Sequence, residues 1–194
     1  MAEEKINKIK GRFKLLIIIL ILGSPVFLAT GYYLMGFNPG SMNYGDLLEV
    51  KKIKGDGINQ IDNTIFRMKD LHGKWTMVTI DSGECNEACQ LKLFYMRQAR
   101  IIQHTEKDRV ERLWLIDDNK TVSDELREEY EGTLFISAKD SELVKAIETE
   151  ETHRNHIYLV DFMGNLMMRF PEDLEPKKMS EDIKRLLHVS QLEH

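Results

Sequence analysis

Residues 15–37, LLIIILILGSPVFLATGYYLMGF, contain no charged side chain. At about 1.5 Å of rise per residue, a helix of that length crosses the roughly 30 Å hydrocarbon core of a bilayer. Tyr32 and Tyr33 stand near its far end, where aromatic side chains settle at the membrane–water interface. A cleaved signal peptide is the rival reading, since the leader before the run is basic. However, the run is longer than the usual signal core, and FLATGYYLMG offers only a weak small-x-small cleavage site. The run is therefore read as a retained transmembrane helix. It divides the chain into a tip at 1–14, a span at 15–37 and the remainder.

Charge separates the two sides of this span. The tip carries Lys5, Lys8, Lys10, Arg12 and Lys14 against Glu3 and Glu4. Taking these from 27 basic and 32 acidic residues leaves 22 against 30, a net charge of −8 for the rest. An acidic domain of this kind excludes a nucleic-acid-binding face. Basic residues before the span place the N-terminus in the cytoplasm. The remainder then faces outward, into the periplasm if the membrane is a bacterial inner membrane. That compartment tolerates disulfides and handles copper.

Residues 38–73 are rich in Gly, Asn and Asp and read as a linker with one or two edge strands. From Lys74 the periodicity becomes regular, and 74–194 reads as the domain proper. KWTMVTID is a buried strand, and EACQLKLFYMRQARIIQ has the apolar spacing of a helix. VERLWLIDD is a second strand, and SDELREEY a short helix capped by Ser123. GTLFISA and DSELVKAIET follow as strand and helix. HIYLVDF and NLMMRFP form a hairpin about Met163-Gly164, and EPKKMSEDIKRLLHVS closes the chain as an amphipathic helix. This succession of βα units ending in a hairpin and a helix is an α/β, thioredoxin-like arrangement.

Cys85 and Cys89 are the only cysteines, and they fall where that fold keeps its active site, between the first core strand and its helix. Residues i and i+4 of a helix share a face, with Cα atoms about 6 Å apart. That separation suits a disulfide, and it also suits two thiolates converging on a soft ion such as Cu(I). A helix N-terminus favours a thiolate, which both redox exchange and metal binding need. A passive structural bridge is the third possibility, although so short a loop would constrain the unfolded chain little.

A third ligand would come from the loop before HIYLVDF, which holds His153 and His156. His72, His104, His188 and His194 read as solvated surface residues. Thioredoxin-type oxidoreductases place a cis-proline just before this strand. Here Arg154, Asn155 and His156 occupy the place, which favours metal handling over general dithiol exchange. Asp117-Asp118 reads as the solvated end of a strand, and Met167-Met168 as one core and one outward methionine.

These residues resemble the SCO/SenC family, membrane-anchored thioredoxin-fold proteins of cytochrome c oxidase assembly. In that family a C-x3-C pair and a distant histidine bind copper, and the histidine opens an H-x4-Y-L-x4-G segment. Cys85 and Cys89 match the pair, and His153 is followed by Tyr158, Leu159 and Gly164 at matching spacing. NYGDLL, CNEACQLKLFYMRQAR, RLWLIDD and HIYLVDFMGNLMMRFPEDLEPKKM are similar to a group of small proteobacterial transmembrane SCO-like proteins. The prolines usual after the SCO cysteines are replaced by Asn86 and Gln90.

The resemblance implies a copper site of Cys85, Cys89 and His153, with His156 as the alternative. It implies an oxidase subunit or another copper protein as partner. The role would be copper delivery, or keeping the CuA-site cysteines reduced. A periplasmic thiol–disulfide oxidoreductase and a non-catalytic interaction module are the alternatives.

Overall fold

The computed structural model describes residues 2–35, 43–147 and 153–190. It divides into two units, Met1–Met42 and Asn43–His194.

The first unit is one helix, α1 (Ala2–Leu34). Ile17–Leu34 is long and apolar enough to cross a membrane. Pro25 lies inside α1 and cannot donate to the carbonyl of Ile21. The Ser24 hydroxyl donates to that carbonyl instead, at 3.0 Å. Gly36 and Phe37, the last residues of the span read from the sequence, lie outside the described residues.

The second unit is built on an eight-stranded sheet, ordered β1-β8-β7-β4-β5-β6-β2-β3. Its strands are β1 (Asp46–Lys52), β2 (Asp56–Asn59), β3 (Ile65–Arg67), β4 (Trp75–Asp81), β5 (Val110–Ile116), β6 (Thr133–Ser137), β7 (Ile157–Val160) and β8 (Asn165–Arg169). The helices are α2 (Glu87–Ile102), α3 (Asp124–Glu129), α4 (Glu142–Lys145) and α5 (Pro176–Val189). β4, β5 and β6 run parallel, and β7 lies antiparallel to β4 on its other side. Residues 43–73 are more than a linker: β1 pairs with β8, and β2 with β6, so they close both edges of the sheet.

All seven residues of β4 are buried, as an apolar run covered on both faces requires. Val78 and Ile80 pack on one face with Leu113, Leu115, Ile136 and Val160. Met77 faces the other way, with Leu159, Met168 and the inner sides of α2 and α5 (Met96, Met179, Ile183). Gly164, at φ 86°, makes the β7–β8 turn, while Asp161 Oδ1 accepts from the Met163 and Asn165 N–H groups at 2.8 Å each. The helix read at 140–149 is seen as α4, capped by Ser141; Glu148 and Thr149 lie outside the described residues.

Candidate functional site

β4 ends at Asp81 and α2 starts at Glu87, so residues 82–86 form the turn that positions the cysteines. Gly83 donates its N–H to Asp118 Oδ1 at 3.2 Å, and a Cβ there would lie 2.5 Å from the Lys120 carbonyl oxygen. Only glycine permits that approach. Cys85 follows in the left-handed region at φ 47°, a conformation that costs a residue with a Cβ. Asn86 is the N-cap of α2, its Oδ1 accepting from the Cys89 N–H at 3.0 Å.

Cys85 thus precedes the cap and Cys89 is the third helical residue. The two are not successive turns of one helix, as their spacing alone suggested. The left-handed residue brings their Cα atoms to 5.1 Å, and the sulfurs are joined in a disulfide. Asn86 and Gln90 therefore have local work where SCO proteins carry proline. Asn86 caps, and Gln90 Nε2 donates to the Cys85 carbonyl at 3.1 Å.

Cys85 is 2% exposed and Cys89 0%. They sit among Leu93 of α2, Trp114, Ile116 and Phe135 of the sheet, and Val122 and Tyr130 from the β5–β6 connection. Beside this apolar nest lies a charged one. Lys92 Nζ reaches Asp81 Oδ2 at 2.8 Å and also donates to the carbonyl of Arg154. Burial pulls the Lys92 ammonium below its ordinary pKa, against the opposing attraction of Asp81. Arg154 donates to Asp117 through Nε at 2.9 Å and Nη2 at 2.7 Å.

His153 Nε2 lies 2.8 Å from the same carboxylate. Burial raises the Asp117 pKa, but the hydrogen bonds from Arg154 and His153 outweigh it and hold the carboxyl below its ordinary value. Asp117 is therefore no solvated strand end; its side chain is only 10% exposed.

His156 is 5% exposed, with Nδ1 at 2.9 Å from the Phe170 carbonyl and its ring edge-on to Tyr158. It belongs to the wall of the fold. Among the described residues no group of three or more His, Cys, Asp or Glu side chains is arranged to hold a metal ion. The donor set Cys85, Cys89 and His153 does not fit copper as it stands. A disulfide offers no thiolate charge; the Asp117 contact engages only Nε2 of His153 and leaves Nδ1 as the ring's donor.

Asp81 and Lys92 were not singled out from the sequence, and Arg154 only as one of the residues standing where a cis-proline would be. The available signal was Lys92 itself, a charged residue on the stripe of Cys89, Leu93 and Met96 that α2 buries.

The sequence pattern of the transmembrane-like, thioredoxin-like, C-terminal domain family matches residues 75–190. The chain belongs to that family. The matched region opens at β4 and runs through α5, so it contains the cysteine turn and the whole charge network. Solved structures of SCO proteins share this fold. Yeast Sco1 with copper bound superposes with a TM-score of 0.58 at 17% identity, over 72% of this chain and 94% of that one. A SCO1/SenC family lipoprotein from Bacillus anthracis gives 0.57 at 18%, over 73% and 97%. The thioredoxin domain of a thiol-disulfide oxidoreductase from Bacteroides vulgatus gives 0.52 at 16%, over 72% and 99%. No curated protein matches the sequence.

Proposed function

We propose that this protein is a membrane-anchored, SCO-like assembly factor whose Cys85–Cys89 pair cycles between disulfide and dithiol. In the dithiol form it would keep the cysteines of a cytochrome c oxidase copper site reduced. The observation carrying this reading is the Cys85–Cys89 bond at the strand-to-helix turn of a fold shared with SCO proteins and a thiol-disulfide oxidoreductase. The dithiol gives two electrons and two protons to a partner disulfide and returns to the oxidised form. The α2 N-terminus favours negative charge on Cys89 during exchange, against the opposing effect of its apolar surroundings.

The apolar run at 15–37 anchors the protein, with its basic tip in the cytoplasm. The domain beyond it works in the periplasm at a bacterial inner membrane, where a disulfide persists. Oxidase activity in membranes tests the role. A Cys85→Ser/Cys89→Ser chain restores little activity to a deletion strain; full restoration would leave only a non-catalytic interaction module.

Copper is the second reading, favoured by the fold shared with copper-bound yeast Sco1. It requires the reduced pair together with an imidazole nitrogen of His153 or of His156. Cu(I) titration of the reduced full chain in detergent tests it. Stoichiometric binding lost in Cys85→Ser supports this reading, and equal binding by that variant removes it.

A further inference from the structure

The disulfide lies beneath the connection between β5 and β6. Val122 and Tyr130 are buried on it, and Leu126 packs against the same cluster. The one helix of this connection, α3, is six residues long. Its far end is tied to α2, where the Tyr130 hydroxyl donates to the Gln90 carbonyl at 3.2 Å and Arg97 Nη1 to the Glu129 carbonyl at 3.1 Å.

At the near end Asp118 Oδ1 accepts from the Lys120 N–H at 3.0 Å and the Gly83 N–H at 3.2 Å, and the side chain that reaches across from the β2–β3 turn is Gln60. Its Nε2 donates to the Lys120 carbonyl at 3.1 Å, and its Oε1 accepts from the Val122 N–H at 3.0 Å and Arg127 Nη2 at 3.4 Å. Gln60 is itself fixed to β6. Its N–H donates to the Phe135 carbonyl at 2.8 Å, and Nε2 also donates to Ser137 Oγ at 2.8 Å. The Lys120–Glu84 ion pair beside it is exposed and adds little.

We infer that residues 119–130 form a cover over the Cys85–Cys89 pair, that the pair reacts with protein thiols only when this cover opens, and that Gln60 is its latch. The inference rests on reading the pair as one that cycles. Thiol–disulfide exchange needs a thiolate to reach a sulfur, and residues as buried as Cys85 and Cys89 offer no approach to a thiol carried by another protein. In the gated step the partner's thiolate forms a bond to one sulfur as the Cys85–Cys89 bond breaks. The displaced sulfur leaves as a thiolate and takes up a proton. The partner's second thiol then displaces the other cysteine, so two electrons and two protons pass to the pair.

The test is the rate at which reduced thioredoxin, as a probe protein dithiol, reduces the oxidised full chain in detergent micelles. Gln60→Ala removes the side-chain hydrogen bonds to the cover and accelerates reduction roughly tenfold, equivalent to about 1.4 kcal/mol. Tyr130→Phe, which removes one of the two ties at the far end and keeps the packing, accelerates it too and carries the test if Gln60→Ala does not fold. Ile183→Val lowers global stability from a different cluster and leaves the rate unchanged.

Equal rates for the parent and both cover variants overturn the cover, as does an acceleration by Ile183→Val matching that of Gln60→Ala. The midpoint potential of the parent, measured against glutathione, judges the cycling separately. A pair that stays oxidised at equilibrium with the protein dithiol overturns the redox reading.

Discussion

Lys92 Nζ lies 2.8 Å from Asp81 Oδ2, with the two side chains only 10% and 8% exposed. A lysine on the buried face of α2 thus meets the last residue of the strand that leads to the cysteines. Each charge is tolerated because the other is there. Removing one partner strands the other in a poorly solvated place.

Lys92→Met is accordingly expected to destabilise the protein by about 3 kcal/mol. The Asp81→Asn/Lys92→Met double variant recovers most of that loss. Urea unfolding of the four proteins measures the coupling; additive losses would mean that the pair does not act as a unit.

Asp117 and Asp118 set an acid limit on the fold. Burial raises both, and hydrogen bonds outweigh it: Arg154 and His153 on Asp117, and Ser82, Lys120 and Gly83 on Asp118. A carboxylate held below its unfolded pKa contributes stability above about pH 4, and this is lost as pH falls through its folded value. Unfolding free energy therefore falls as the pH drops below about 4. Asp118→Asn, which replaces the more exposed of the two, flattens that slope.

Asn86→Ala deletes the acceptor of the Cys89 N–H. The expected loss is about 1 kcal/mol, read from thermal unfolding of the oxidised protein. Asn86→Asp, which restores an N-cap acceptor, retains the stability.

Reduction of Cys85–Cys89 leaves the domain folded. The residues are four apart in sequence, and so small a closed loop is worth about 2 kcal/mol in the chain-entropy account. A single cooperative transition, shifted to lower denaturant, is expected after reduction. A loss of native circular dichroism would instead make the bridge structural.

Much of the architecture was legible because its signals are local. β-rich apolar runs mark the core strands, and the spacing of Leu91, Phe94, Tyr95, Ile101 and Ile102 marks α2 as a helix. Yet Leu91, Phe94, Ile101 and Ile102 lie on its exposed side, and Leu93, Met96 and Ala99 form its inner face. The position of the cysteines at a strand-to-helix turn followed from the same periodicity. What escaped is non-local or depends on a special backbone. Asp117 meets Arg154 across 37 positions of sequence, and no pattern in either segment announces it. The one or two edge strands read in residues 38–73 are three in the structure, β1, β2 and β3, and Leu47 and Val50 of β1 are exposed, so burial does not mark that strand. The left-handed Cys85 has no residue signature, and it is what sets the real geometry of the pair.

The apolar nest around the disulfide also gives the molecule an optical gauge. Trp114 belongs to the cluster that encloses the two sulfurs, while Trp75, the only other tryptophan, packs in a separate cluster with Met77 and Phe170. A disulfide quenches nearby indole emission. Opening the bond therefore brightens Trp114 over a constant Trp75 background, and the redox state of the unlabelled protein is readable from its own fluorescence.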